Sequence, residues 1–206
     1  MNVVFAIPVA ADDIGRANRT FKLWADQGYK TAALVDGNDA PNCDVVVQHS
    51  PYCGWAWAVN HLAEVLAGFN WLVTGGADIF PDPSRTADQV AAECLDHFGG
   101  TFGVMQPVGD PYGALETQTA CVSPWLGREW RERHPMHEGY YHFWADAELA
   151  QVAGAAKRLW WHHGITQRHD HWARTGAPCP GHLAKAQERH AKDWELFERR
   201  KAAGFP

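Results

Sequence analysis

No run of apolar residues in this 206-residue chain approaches the roughly 20 that a membrane-spanning helix needs. Positive charge is scarce too. Lysine and arginine number 18 against 24 acidic residues, a formal net charge of −6, which argues against an extensive basic surface for nucleic acid or anionic membrane. The five cysteines (43, 53, 94, 121 and 179) include no C-x-x-C pair. Free thiols in a reducing, cytoplasmic setting are therefore expected, rather than a disulfide framework or a zinc finger. No segment repeats and none is of low complexity, and the length suits one domain with a sizeable core. The apolar run Val3 to Ala11 has no basic residues ahead of it and is closed by Asp12-Asp13, so it reads as a first strand rather than a signal peptide. What the chain has in abundance is 11 tryptophans and 12 histidines. Aromatic-rich clefts suit sugars and bases, but the same residues serve equally as core, so composition alone decides nothing.

Periodicity in the first half alternates between strand and helix. Val3–Pro8 reads as a buried strand. Asp12 or Asp13 can cap a helix with Ile14, Ala17, Phe21 and Trp24 at helical spacing, stopped by Gly28. Strands are predicted at Thr31–Val35 and Asp44–Gln48, then a helix striped by Trp55, Val59, Leu62, Ala63 and Leu66. Trp71–Val73 is a further strand, followed by a helix with Ala87, Val90, Ala91, Cys94 and Phe98 inward, a Gly99-Gly100 stop, and a strand at Thr101–Met105. This order implies a single α/β domain with a mostly parallel sheet and helices on both faces. The second half is less regular. Loops are expected from Gln106 to Ser123 with a short strand near Ala120–Val122, a short helix at Leu126–His134, and a longer one at Ala145–Trp161 with Ala156 and Trp160 inward. After the breaker Thr175–Pro180, His182–Arg200 forms a charged amphipathic helix. Residues 1–174 are thus expected to be the α/β domain, with 175–206 a breaker segment and a helix packed upon it.

The stretch richest in chemistry is Phe69 to Pro83. Its strand stops at Gly75-Gly76, a carboxylate follows at Asp78, and a Pro-x-Pro turn closes it around Asp82. In an open α/β sheet, ligands bind outside the carboxyl ends of the strands, which is where Asp78 falls. Two glycines there let a ligand approach the backbone. A lone Asp after a strand also serves simply to cap a turn, and an Asp-Gly pair such as Asp36-Gly37 is more often just a turn. His162-His163 and His169-x-His171 offer imidazoles for a transition metal, though no cysteine completes a finger.

The order of these features resembles the nucleotide-sugar glycosyltransferases of the GT-A fold, nearest to family 2. The residues that carry it are Asp36 after the second strand, Gly54-Trp-Ala-Trp-Ala-Val-Asn60 opening a helix, Gly76-Ala77-Asp78 at a strand end, Gly139-Tyr-Tyr-His-Phe-Trp-Ala-Asp146-Ala-Glu148-Leu149, and His169-Asp170-His171-Trp172. The resemblance implies a Rossmann-type GT-A-like fold over residues 3 to 172 and transfer of a sugar from a nucleotide donor, UDP-sugar by default, to a hydroxyl acceptor. It implies a divalent cation, Mn2+ or Mg2+, on Asp78 with His169 or His171, and a donor pocket of Pro8, Ala10, Asp36, Ala77 and Asp78. It makes Asp146 the base, with Glu148 as fallback, and makes Trp125, Tyr140, Tyr141 and Trp144 the acceptor wall. Asp146 can equally act as a helix cap. The acceptor's class stays open: saccharide, lipid carrier, protein or hydroxylated base in DNA.

The chain departs from the D-x-D pattern at Gly76, where an acid is expected. That departure keeps open a non-catalytic nucleotide- or sugar-binding protein on the same fold. A nucleotidyltransferase is the other alternative, but Ala10–Gly15 lacks the glycine-rich, basic phosphate loop that it needs after the first strand.

Overall fold

In the computed structural model, which describes residues 2–109 and 120–205, a seven-stranded sheet carries helices on both faces. In chain order the elements are β1 (Val3–Val9), α1 (Ile14–Asp26), β2 (Lys30–Val35), β3 (Val45–Gln48), α2 (Trp55–Val65), β4 (Trp71–Val73), β5 (Ile79–Phe80) and α3 (Ala87–Phe98). Then come β6 (Val104–Gly109), β7 (Trp125–Gly127), α4 (Arg128–Arg133), α5 (Ala145–Ala155), β8 (Leu159–Thr166), β9 (Arg168–His169), α6 (Trp172–Thr175) and α7 (Gly181–Ala202). The sheet order is β3-β2-β1-β4-β7-β6-β8. All pairings are parallel except the two made by β7, which runs antiparallel to β4 and β6.

Burial explains the central strands. Val4, Phe5, Ala6 and Ile7 of β1 and Trp71, Leu72 and Val73 of β4 are enclosed on both faces, which is why these segments read as continuous apolar runs rather than alternating ones. On one face α1 and α3 bring Phe21, Trp24, Val90 and Cys94 against Phe5, Ile7 and Val73. Trp24 stacks on Phe5 with ring centroids 4.2 Å apart. On the other, α2, α4, α5 and α7 bury Val59, Leu62, Trp130, Ala153 and Phe197 against Val4, Ala6 and Leu72. Helix α3 has the most complete local signals: Thr86 and Gln89 form a reciprocal capping box, and Gly99 ends it at φ 68°.

Four predicted elements differ. Loops are expected from Gln106, but β6 runs on to Gly109, and 110–119 of that expected loop region lie outside the described residues. The long helix expected over Ala145–Trp161 stops at Ala155, and the segment from Leu159 becomes β8, so Ala156 is exposed and Trp160 lies on a strand. Lys157, held at φ 55°, turns the chain sharply between them. Helical spacing of small residues continued past the turn and masked the β-rich Leu-Trp-Trp. Ala120–Val122 forms no strand; Trp125–Gly127 does. Neither Asp12 nor Asp13 makes a side-chain cap, because Ala11–Asp13 is a 3-10 turn and Asp13 pairs instead with Arg16, 3.1 Å away.

Candidate functional site

The chain runs from β1 outward to β2 and β3, then crosses back to lay β4 on the other side of β1. This reversal opens a crevice at the carboxyl ends of β1 and β4, the usual place for ligands in open α/β sheets. A cleft of about 790 Å³ occupies it. Pro8, Ala10, Asp36, Ala77, Asp78, Tyr141, Asp146, His169 and His171 all line it. Residues from five stretches of sequence therefore share one cavity.

The strand-end loop is shaped from both sides. On the α1 side the Thr20 hydroxyl donates to the Ala77 carbonyl and Trp24 Nε1 donates to the Ile79 carbonyl at 2.9 Å. On the other side Trp55 Nε1 reaches the Gly75 carbonyl at 3.4 Å. Gly75 sits at φ 157°, and a Cβ there would come within 2.6 Å of Ile79 Cδ1. At Gly76 a Cβ would collide with Oδ1 of Asp78. The Asp78 carboxylate thus folds back over the position where a D-x-D pattern carries its first acid, and an acid at 76 would require Asp78 to turn away.

His169 reaches this loop because β5 and β9 form a two-stranded antiparallel ribbon with Ile79 opposite His169, tied further by the Asp170 N–H to the Asp78 carbonyl at 2.9 Å. Its Nε2 lies 3.6 Å from Asp78 Oδ2, and the His171 ring centroid is 5.2 Å from that of His169. Burial alone would raise the Asp78 carboxyl. The neighbouring His169 imidazole, and more weakly Arg16, outweigh it and hold the group below the usual 3.8. The sign follows from linkage: Asp78 adds stability above the ordinary carboxylate range, and that contribution is lost as pH falls through its depressed folded value.

Asp36 projects from the end of β2, with Oδ2 accepting the Tyr52 N–H at 3.1 Å. Asp146 lies in the first turn of α5, where its Oδ1 accepts the Ala147 N–H at 2.9 Å. The loop before α5 is held by the final helix. Asp193, only 2% exposed, accepts the N–H groups of Tyr141, His142 and Phe143 at 3.1, 3.0 and 3.0 Å. Gly54, at φ 122°, lets α2 meet the same loop, with Trp55 N–H donating to the Tyr141 carbonyl at 2.7 Å.

Several expected site residues lie elsewhere. Glu148 points away from the cleft and is 6% exposed: Arg200 binds it twice at 2.8 Å and the Tyr140 hydroxyl donates to it at 2.6 Å. It lines a second cavity of about 700 Å³ behind α5. The structure therefore places Glu148 in an ion pair behind α5 and not in the cleft with Asp78 and Asp146. Tyr140, committed to Glu148, is core rather than wall. Trp125 is core as well, 1% exposed on β7 against Tyr29. Trp144 packs on His190, Trp194 and Phe197 of α7. Of the four expected wall residues only Tyr141 lines the cleft. His162 is far from it in use, paired with Glu93 at 2.7 Å, so the two histidine pairs do not form one zinc site.

Other cleft residues escaped the sequence. Arg16 lies 4.0 Å from Asp78, and its signal was its place just after the first strand. Gly181, Leu183, Lys185 and Ala186 of α7 also line the cleft, so the helix expected to pack upon the domain also contributes to the cleft. Among the described residues no three of His, Cys, Asp and Glu converge as a preformed metal site. The Asp78–His169 pair nevertheless offers one hard oxygen and one imidazole nitrogen on a shared cavity. That donor set fits a divalent cation whose remaining positions are completed by substrate oxygens.

No protein-family model matches the chain, and no curated protein matches it by sequence. Solved structures do resemble it in fold. A glycosyltransferase involved in glycosylation of the major capsid of PBCV-1 shares 11% identity at a TM-score of 0.53, over 85% of this chain and 98% of that one. GalNAc-T7, solved with UDP, GalNAc and Mn2+, shares 12% at 0.56, over 82% of this chain and 44% of that one. A197 from STIV shares 13% at 0.50, over 82% and 85%. The fold is therefore GT-A-like, a Rossmann-type α/β sheet in a single domain. Among the described residues no helix is long and apolar enough to cross a membrane.

Proposed function

We propose that the chain is a glycosyltransferase that moves a sugar from a nucleoside-diphosphate donor, UDP-sugar by default, to a hydroxyl acceptor. The observation that carries this reading is the meeting of Asp36, Asp78, His169 and Asp146 in one cleft at the sheet's switch point. Pro8, Ala10 and Asp36 offer backbone groups and a carboxylate to the base and ribose. Asp78 and His169, with His171 beside them, would hold a divalent cation, Mn2+ or Mg2+, which supplies positive charge against the leaving diphosphate. Asp146 takes the acceptor's hydroxyl proton while the acceptor oxygen bonds to the anomeric carbon. The bond from that carbon to the diphosphate breaks, and the nucleoside diphosphate departs. Five carboxylates line the cleft, at Asp12, Asp13, Asp36, Asp78 and Asp146. An anionic donor entering such a cavity needs a companion cation, which supports the metal assignment.

Thermal unfolding with UDP, with and without Mn2+, tests the proposal. Nucleotide at a hundred times its dissociation constant adds about 2.7 kcal/mol of stability. The expected result is a rise in Tm with UDP that grows with Mn2+ and disappears in Asp78→Asn. Unchanged Tm across UDP, GDP and CDP with either metal would remove the donor assignment. Gly76 favours a second reading, a binding protein without transferase activity; metal-dependent hydrolysis of a UDP-sugar decides against it, and binding without any turnover decides for it.

A further inference from the structure

We propose that Arg16 is a diphosphate-binding residue that exchanges partners with the cation: it neutralises Asp78 in this structure and passes to the donor's phosphates when a divalent ion takes Asp78. The inference rests on the nucleotide-sugar reading above. Among the residues lining the cleft, Arg16 and Lys185 carry the lysine and arginine charge. Lys185 belongs to the acceptor-side wall, its ammonium 5.6 Å from the Tyr141 ring centroid. Arg16 belongs to the donor side. It lies in the first turn of α1, with Nε 3.1 Å from Asp13 Oδ1 and NH1 4.0 Å from Asp78 Oδ2.

This geometry leaves the guanidinium pivoted on Asp13 at one nitrogen, with its other end at the strand-end carboxylate. A guanidinium keeps its charge at all accessible pH and bonds phosphate oxygens in pairs. With Gly76 in place of an acid, Asp78 is the carboxylate of the strand-end loop on which both charges depend, so Arg16 and a divalent ion compete for Oδ2. A cation bound there repels the guanidinium. The nearest new anion is then the diphosphate that the cation brings, and the side chain is 30% exposed, with room to swing. Arg16 thereby makes cation and nucleotide binding cooperative, and takes over part of the charge balance that a second acid with its tightly held metal would otherwise provide.

Calorimetric titrations of wild type, Arg16→Gln and Arg16→Lys with Mn2+ alone, and with UDP in saturating Mn2+, test this, with thermal unfolding confirming that each variant is folded. Arg16→Gln is expected to bind Mn2+ alone more tightly, because Asp78 is no longer shared. It should bind UDP with Mn2+ about ten- to a hundredfold more weakly, and Arg16→Lys should recover part of that loss. Equal UDP affinity in wild type and Arg16→Gln overturns the inference alone. A weaker UDP complex with Mn2+ binding unchanged overturns the exchange and leaves a simple phosphate contact. A wild type that binds no nucleoside diphosphate overturns the nucleotide-sugar reading and this inference with it.

Discussion

Asp146→Asn is expected to lower sugar transfer by about a hundred- to ten-thousandfold, the usual cost of removing a general base, while nucleotide binding stays as in wild type. The separation follows from the cleft's layout. Asp78, His169 and Asp36 come from the β4–β5 loop, β9 and the end of β2, whereas Asp146 opens α5, directly after the loop that carries Tyr141. A group that acts on the acceptor's proton is used only in the transition state, so its loss appears in kcat rather than in donor affinity. Asn keeps the Oδ1 that accepts the Ala147 N–H, so the first turn of α5 and the stability of the fold should be preserved. Steady-state kinetics beside a UDP titration check this. Full transfer by the Asn variant would reduce Asp146 to a helix-terminal residue.

The placement of the strand-end residues in the cleft was legible because its signals are local. Buried strands followed by Asp36 and by Gly75-Gly76-Ala77-Asp78 each announce themselves in a few residues, and the parallel order puts both at the same edge of the sheet. The sequence marked His169 as a candidate metal ligand, but its place beside Asp78 was legible only through resemblance. The ribbon that carries it to Asp78 has two residues on each strand, too short for any periodicity to show. The aromatic residues were misread for a different reason. Sequence cannot tell an aromatic that walls a cavity from one that fills a core, and of Trp125, Tyr140, Tyr141 and Trp144 three went to the core or to α7. Helix α7 was read as a charged amphipathic helix packed on the domain, although it carries a visible anomaly. Ala186, Asp193 and Phe197 recur at helical spacing on its inward stripe, and an acid on such a stripe must have a dedicated partner. The partner is backbone, which no side-chain pattern reveals.

Asp193→Ala is expected to destabilise the protein by about 3–5 kcal/mol and to dismantle the acceptor wall. The carboxylate accepts three successive N–H groups, from Tyr141, His142 and Phe143, and is almost wholly removed from water. Hydrogen bonds to a charged group contribute about 1.5–3 kcal/mol each, and buried donors left without a partner add their own desolvation cost. Because one loop shares all three bonds, the losses are not additive, which sets the total below their sum. For a chain of this length, roughly 2–4 °C of Tm accompanies each kcal/mol, so a fall of about 6–20 °C should be visible by calorimetry. Asp193→Asn keeps one accepting oxygen but turns an amide N–H toward the remaining donors, and should fall between wild type and Ala. The functional consequence is separable from the loss of stability. Tyr141, His142 and Phe143 line the cleft, and Arg200 still ties α7 to α5 through Glu148. The Asn variant, assayed well below its Tm, should therefore retain UDP binding on the Asp78 side and lose transfer through a displaced acceptor wall. If Asp193→Ala melts within a degree or two of wild type, the three-fold backbone grip is not what holds α7 against the cleft. If transfer survives in Asp193→Asn with unchanged KM for the acceptor, the loop it grips is not the acceptor wall.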